Sequence, residues 1–168
     1  MNQTVDMPEL EGANPVSMGG EPSFMALTFE LQDEIFAVDV TNVHEVIDPL
    51  PITLVPNSDP FAPGLINARG TVVPVLDLRE RLGMRGLERT TDTRFVVLET
   101  ALGDDRTKFA VVADRVYEVV EISIGSIQAA PDLSMAWPSD FVRGIATHGE
   151  TLITVLDTSV VFQPELAA

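Results

Sequence analysis

The chain contains no cysteine, a single lysine (Lys108) and few basic residues of any kind. The absence of cysteine excludes disulfides, thiolate nucleophiles and cysteine-based zinc sites. With 26 acidic against 10 basic side chains, the formal net charge is −16. Nucleic acids and anionic membranes are bound through lysine and arginine, so this surface would repel both. The composition therefore points to proteins or small molecules as partners.

Long apolar runs are missing as well. No segment approaches the ~20 apolar residues that cross a bilayer. The N-terminal segment carries acidic residues where a signal peptide would carry lysine or arginine. We therefore expect a soluble cytoplasmic protein with no direct membrane insertion. Residues 1–22 combine four acidic side chains with scattered glycine and proline, which predicts a disordered acidic tail.

Signatures of catalysis are also absent. The chain has no GxSxG, GxxxxGK[ST], GxGxxG or HExxH motif, and its two histidines, His44 and His148, lie far apart in sequence. We expect no catalytic residue, no metal site and no cofactor. One enzymatic alternative remains, because Glu45 and Glu118 occupy equivalent positions of a repeated pattern. A small acidic hydrolase could use two such carboxylates, one from each of two lobes, as aspartic proteases do.

What the chain does contain is an internal duplication. Residues 36–46 recur 73 positions later as residues 109–119, with Val-x-Glu-Val in both copies. Residues 61–77 recur 80 positions later as residues 141–157, with the same phenylalanine, glycine and aspartate. A period of about 75 residues is too long for a solenoid repeat and suits a duplicated small domain. The duplication predicts two related lobes.

Each copy predicts about five short strands. In residues 24–31 apolar side chains alternate with less apolar ones, and a second apolar segment follows after a short polar gap, which is typical of a hairpin. Short strands with little helix favour small closed barrels, because closure removes unpaired edges. We predict an all-β fold of two pseudo-symmetric five-stranded barrels. Lobe 1 covers about residues 24–92 and lobe 2 about residues 93–162, within one domain of residues 23–168.

The turn of residues 67–70, Asn-Ala-Arg-Gly, falls between two apolar strands and is a predicted hairpin apex. Arg69 should point into solvent there with its guanidinium free, and exposed arginines are common binding hot spots. A plain solvated turn is the alternative. The strand of residues 71–76 that follows is apolar at most positions, so it is predicted to be buried on both faces. Asp77 can then cap a short helix.

Taken together, these segments resemble the CheW-like family of chemotaxis coupling proteins. The resemblance covers about residues 24–162 and is specific, because its motifs occur in order. They are Val43-His44-Glu45-Val46, Val55-Pro56-Asn57, the run of residues 64–79 with its Asn-x-Arg-Gly turn and Val-Pro-Val-x-Asp, and Ala129-Ala130-Pro131. The family has two five-stranded SH3-like barrels, which agrees with the duplication.

The resemblance implies an adaptor, not an enzyme. Such adaptors join the hairpin tip of a chemoreceptor (a methyl-accepting chemotaxis protein) to the regulatory domain of the histidine kinase CheA, in receptor arrays at the inner membrane. Carried over by position, partner binding falls on Arg69, Glu45, Val43, Gly64 and Asn67. Burial in the core is the alternative for Val43, and a backbone requirement is the alternative for Gly64. A paralogue serving a pilus, gliding or other non-flagellar pathway is the competing hypothesis.

Overall fold

The computed structural model describes residues 22–84, 88–102, 105–129 and 139–162. The predicted acidic tail, residues 1–22, lies almost wholly outside the described residues. The described strands are β1 (Ser23–Leu31), β2 (Glu34–Asp39), β3 (Val43–Ile47), β4 (Thr53–Leu54), β5 (Gly64–Ala68), β6 (Thr71–Leu76), β7 (Arg94–Leu102), β8 (Asp105–Ala113), β9 (Arg115–Ser123), β10 (Val142–His148) and β11 (Thr151–Leu156). Two one-turn helices, α1 (Leu78–Arg81) and α2 (Thr158–Val161), complete them.

The strands form two sheets, so the all-β prediction is confirmed. One sheet has five strands in the order β10-β11-β2-β1-β9, and the other has six in the order β3-β7-β8-β6-β5-β4. Each sheet curls so that the chain leaving one edge pairs with the other edge. After β9, Gln128 exchanges hydrogen bonds of 2.9 and 2.8 Å with Ile145 on β10. After β3, Thr53 on β4 pairs with Leu65 on β5. We call the results the five-stranded barrel and the six-stranded barrel.

Neither barrel is built from one half of the chain. The β1–β2 hairpin, from the first half, lies in the five-stranded barrel with β9, β10 and β11. The β7–β8 hairpin, from the second half, lies in the six-stranded barrel. The predicted lobe boundary near residues 92 and 93 thus separates the two copies of the sequence but does not coincide with the division between barrels. The sixth strand, β4, corresponds to the single bridge at Gln128, so the two barrels differ little in strand number.

The duplication predicted from sequence is visible in the strand orders. Replacing β3, β7, β8, β6 and β5 by the equivalent strands β9, β1, β2, β11 and β10 converts one sheet order into the other. The parallel pairings match as well. Val75 lies opposite Ala110 in the six-stranded barrel, and the equivalent Val155 lies opposite Ala37 in the five-stranded barrel. The two barrels therefore share one hydrogen-bonding frame.

The core has three parts, because successive side chains on a strand point to opposite faces. One face of each exchanged hairpin packs between the barrels, with Phe29 and Phe36 from one hairpin and Leu98 and Phe109 from the other. The opposite faces fill the barrel interiors. The members of the interior clusters are Ala26, Ala37, Val120, Ile122, Ala146, Ile153 and Val155 in the five-stranded barrel, and Ile66, Val73, Val75, Phe95, Val97, Ala110 and Val112 in the six-stranded barrel.

Two local predictions concern strand β6 and the helix that follows it. Val73, Val75 and Leu76 are buried, but Thr71 and Val72 are exposed, so the prediction of burial on both faces is wrong for the start of the strand. The first residues of β6 extend past the core as one arm of a hairpin. The cap is confirmed, because the Asp77 carboxylate accepts a hydrogen bond from the first turn of α1.

Candidate functional site

The hairpin turn between β5 and β6 presents Arg69 at its apex. Arg69 and Gly70 have left-handed φ values of 58° and 88°, as a two-residue type I′ turn requires. The side-chain oxygen of Asn67 accepts a 2.8 Å hydrogen bond from the backbone N–H of Gly70. Asn67 therefore shapes the turn, and its role in partner binding stays a prediction.

Arg69 and Glu45, two of the predicted site residues, come together in space. The Nη2 atom of Arg69 lies 3.3 Å from Oε1 of Glu45 on edge strand β3. The Arg69 side chain is 79% exposed and that of Glu45 is 16% exposed. Arg69 points into solvent as predicted, but its guanidinium is not free. The contact involves one nitrogen of a largely exposed guanidinium, so its other donors remain open to a partner.

Gly64 is required by the backbone. A Cβ atom on Gly64 would lie 2.3 Å from the carbonyl oxygen of Thr53 and 2.7 Å from a side-chain carbon of Ile52. The equivalent Gly144 is crowded in the same way, with the carbonyl oxygen of Gln128 at 2.5 Å. Both glycines are buried where β5 or β10 meets the segment that closes its barrel. The contact surface of the site therefore does not include a side chain at this position.

Val43 lies at the border between core and surface. It is half-buried and packs against the cluster between the barrels, as does its equivalent Val116. Beyond it on β3, Val46 is exposed, and Val72 is 63% exposed beside the hairpin apex. The charged pair is thus accompanied by apolar side chains on both of the strands that carry it.

A second charged group lies beside the first. His44 Nδ1 is 3.9 Å from Oε1 of Glu99 on β7, and Arg106 Nε on β8 is 3.0 Å from the other oxygen. The hydrogen bond from Arg106 lowers the pKa of Glu99, with further help from the charges of Arg106, Lys108 and His44. Sequence reasoning missed Glu99 and Arg106. The register of the β7–β8 hairpin could have indicated this charged group, because it places Glu99 opposite Lys108.

Arg79 was also missed, and it is buried. Its guanidinium donates to both oxygens of Asp77 at 2.9 and 3.1 Å and lies 3.4 Å from Asp114. Asp114 in turn accepts a 2.7 Å hydrogen bond from the backbone N–H of Gln32 in the β1–β2 turn. Burial disfavours its charge, but hydrogen bonding and the charges of the two aspartates outweigh burial and raise the pKa of Arg79. Arg79 joins the two barrels and is not available to a partner.

The second carboxylate of the duplicated motif, Glu118, lies on β9 in the five-stranded barrel. Thr28 Oγ1 donates to its carbonyl oxygen at 2.7 Å and accepts from its N–H at 3.2 Å. Among the described residues, none contributes an ion pair to the Glu118 carboxylate, and Glu45 and Glu118 belong to different barrels. Over the same ranges, no group of three or more acidic or histidine side chains could hold a metal ion.

In the described parts of the chain, no helix is long and apolar enough to span a bilayer.

Comparison with known proteins identifies relatives of this chain. The chemotaxis protein CheW of Treponema pallidum is 22% identical over 148 residues, covering 88% of this chain and 86% of that protein. A probable chemotaxis protein CheW of Rhizobium etli is 28% identical over 136 residues, covering 81% and 85%. Both alignments span nearly the whole folded region.

The solved structures give the same result. The crystal structure of the scaffolding protein TtCheW from Thermoanaerobacter tengcongensis superimposes with a TM-score of 0.75 and 29% identity, covering 90% of this chain and 96% of that one. The family model described as the CheW-like domain matches residues 25–165. With both barrels and the charged hairpin inside that match, the chain belongs to the CheW-like domain family.

Proposed function

We propose that this protein is a non-enzymatic chemotaxis adaptor. It couples the hairpin tips of chemoreceptors to the regulatory domain of a CheA-type histidine kinase, in the cytoplasm beside receptor arrays. Family membership over residues 25–165 supports the adaptor role. The observation that carries the choice of contact site is the exposed ion pair between Arg69 and Glu45.

The surface around this pair has the properties of a protein contact. Interfaces combine apolar side chains with a few oriented charges, and arginine is enriched among their hot spots. Here Val46 and Val72 supply exposed apolar area on the strands that carry Glu45 and Arg69. The left-handed turn fixes the position of the Arg69 backbone, so little backbone conformational entropy is lost when a partner binds.

Nothing specific favours the other two hypotheses. A two-carboxylate hydrolase needs a free pair of acids within about 5 to 9.5 Å of each other. Glu45 is engaged by Arg69, and Glu118 is on the edge strand of the other barrel. A paralogue for a pilus or gliding pathway would use the same surface with other partners.

Calorimetry with two purified partners tests the proposal. The partners are the cytoplasmic hairpin fragment of a chemoreceptor and the regulatory domain of the kinase from the same cell. We expect micromolar affinity for both, because contacts of ordinary size often bind no more tightly. Arg69→Ala should weaken binding of at least one partner about tenfold, as expected for a hot-spot arginine. If the wild type binds neither partner, the adaptor function is wrong.

Matched variants separate the contact site from general effects of charge. Arg143 is also exposed, lies on β10 of the other barrel and stacks over Phe24 at 4.9 Å, so Arg143→Ala is the control that should bind as wild type does. If Arg69 and Glu45 act as a unit, the double alanine variant should lose little more affinity than Arg69→Ala alone. Binding by wild type with no loss in either Arg69→Ala or Glu45→Ala would leave the function standing and refute the site.

A further inference from the structure

The five-stranded barrel has a cleft of about 700 Å³ at the end where the β10–β11 turn faces β9. The apolar part of its lining comes from Ile35, Val120 and Ile153. Tyr117 and Glu118 line it from β9. Pockets of a few hundred cubic ångströms with an apolar lining and a few polar groups are typical ligand sites.

Comparison with the other barrel shows how the side chains on equivalent strands differ. Ala26 and Thr28 on β1 occupy the positions that Phe95 and Val97 occupy on β7 of the six-stranded barrel. In both barrels these positions face the interior or its opening. Thr28 lines the cleft and presents a hydroxyl where Val97 presents a methyl group, whereas Ala26 is buried and does not line the cleft.

At the edge of this cleft lies the carboxylate, but not the arginine, of the ion pair found in the six-stranded barrel. In the six-stranded barrel the edge-strand carboxylate, Glu45, is met by Arg69 from the hairpin apex. The five-stranded barrel keeps the carboxylate as Glu118, but Gly149 stands at the position equivalent to Arg69. The Thr28 hydroxyl fixes the Glu118 backbone through two hydrogen bonds. The Glu118 backbone is therefore held at the cleft, and Gly149 has no side chain that could meet the Glu118 carboxylate as Arg69 meets Glu45.

Of the other titratable groups that line the cleft, His148 lies beside the β10–β11 turn, and Asp92, Arg115 and Tyr117 are already engaged. Arg115 Nη2 lies 2.7 Å from Asp92, so this cation is neutralised by its own partner. The Tyr117 hydroxyl donates a short hydrogen bond to Glu30. The net effect at the cleft is an excess of negative charge centred on Glu118.

We propose that this cleft binds an arginine side chain presented by another protein. The guanidinium takes at Glu118 the place that Arg69 takes at Glu45. Its aliphatic stem lies along Ile35 and Val120, and the half-exposed ring of Tyr117 offers a stacking face. Arginine is favoured over lysine because its planar donors match a carboxylate. The inference does not rest on the adaptor function.

A titration followed by nuclear magnetic resonance tests this directly. The probe is the peptide acetyl-Gly-Arg-Gly-amide, and its control is the same peptide with citrulline, which keeps the shape and lacks the charge. We expect saturable shifts of the backbone amides of Thr28, Glu118 and Ile153 with the arginine peptide. The citrulline peptide should bind about tenfold more weakly or not at all, because a charge-assisted hydrogen bond is lost.

Variants of the protein test whether the arginine peptide binds at Glu118. Glu118→Gln should weaken binding of the arginine peptide about tenfold. Glu121→Gln should not, because Glu121 is exposed on the same strand and does not line the cleft. A double variant, Gly149→Arg with Glu150→Gly, places the Arg-Gly pair of residues 69 and 70 in the equivalent turn. Gly149 and Arg69 both have left-handed φ, at 65° and 58°, and the glycine introduced at position 150 lets the turn adopt the positive φ of Gly70 as well. Its own arginine should occupy the cleft and exclude the peptide.

Three results would overturn the proposal. They are equal shifts with arginine and citrulline peptides, unchanged affinity in Glu118→Gln, and no shift of the cleft amides at any peptide concentration reached. Amide spectra of each variant establish that it is folded, so a loss of binding cannot be confused with a loss of structure.

Discussion

The two barrels share one backbone frame but distribute charge and bulk differently. At the apex of equivalent hairpins, one barrel carries Arg69, and the other carries Gly149. The six-stranded barrel is filled by Phe95 and Val97 and its edge carboxylate is paired. The five-stranded barrel has Ala26 and Thr28 at these positions, a cleft and an edge carboxylate without an ion-pair partner among the described residues.

This difference shows where a duplicated fold can change without losing its frame. Positions that both barrels need are the same in each, such as the crowded glycines Gly64 and Gly144 and the capping aspartates Asp77 and Asp157. Positions at the open ends are not needed for closure, so their chemistry is free to differ. The symmetric positions should therefore respond alike to substitution, and the asymmetric ones should not.

The largest expected effect comes from an asymmetric position inside the molecule. Arg79→Met should lower the free energy of unfolding by about 3 to 5 kcal/mol, because it leaves Asp77 and Asp114 without their cation. At the equivalent position, Ser159→Ala removes one hydroxyl hydrogen bond to Asp157 and should cost under about 1 kcal/mol. Urea unfolding followed by circular dichroism measures both. Equal losses in the two variants would show that Arg79 does not join the barrels energetically.

The paired glycines test the symmetric part of the comparison. Gly64→Ala and Gly144→Ala should each destabilise the protein by about 3 kcal/mol, because each Cβ would overlap a backbone carbonyl oxygen. Gly144 also has a φ of 152°, which adds strain for any other residue. Its substitution should therefore cost at least as much. A Gly64→Ala protein of unchanged urea midpoint would contradict the close approach and restore Gly64 as a surface contact.

The capping aspartates, Asp77 and Asp157, occupy symmetric positions, but Asp77 also contacts the asymmetric Arg79. Asp157→Ala removes the cap of α2 and should cost about 1 kcal/mol. Asp77→Ala removes the equivalent cap and also a charge partner of buried Arg79, so it should cost about 2 to 3 kcal/mol. The same unfolding experiment measures the excess. If the excess of Asp77→Ala persists in an Arg79→Met background, the added cost does not come from the ion pair.

Much of the fold could be predicted from the sequence, because the strands and the duplication are local or periodic properties. The exchange of hairpins could not. The β1–β2 and β7–β8 hairpins carry the same alternation, so either would satisfy the faces of either barrel. The barrel that each hairpin joins is decided by the parallel pairing of β2 with β11 and of β6 with β8. This pairing joins segments far apart in the chain. No local pattern encodes that choice.

Some features of the candidate site could likewise be predicted from the sequence, and others could not. The Asn-x-Arg-Gly turn predicted an exposed Arg69, because turn chemistry is local. Its contact with Glu45 depends on the curvature that brings edge strand β3 to the hairpin apex, and sequence spacing does not report curvature. Arg79 was missed for a related reason. On a one-turn helix it has the pattern of a solvated residue, and its burial depends on Asp114, which follows β8, as well as on nearby Asp77.

The smallest expected effects concern two equivalent carboxylates, Glu30 and Glu99, whose different partners give opposite responses to pH. In the five-stranded barrel the Tyr117 hydroxyl donates to Glu30, and this hydrogen bond, with burial and the Glu30 charge, raises the pKa of Tyr117 above its ordinary 10.0. In the six-stranded barrel the pKa of Glu99 is lowered below its ordinary 4.5, chiefly by Arg106. Both pairs are substantially exposed, so each should contribute under about 1 kcal/mol.

The signs of these two shifts predict where each contribution is lost. A raised pKa stabilises the folded state below the unfolded value, so the advantage of wild type over Tyr117→Phe should hold up to about pH 10 and disappear as the pH rises through the folded pKa. A lowered pKa acts in the opposite direction. The advantage over Glu99→Gln should be present above about pH 4.5 and disappear as the pH falls through the folded pKa. Urea midpoints of the three proteins from pH 3 to pH 11 measure both. Parallel pH profiles for wild type and Tyr117→Phe above pH 10 would show that the Glu30 bond does not hold the phenol proton. The two barrels would then not show the opposite pH responses predicted for Tyr117 and Glu99.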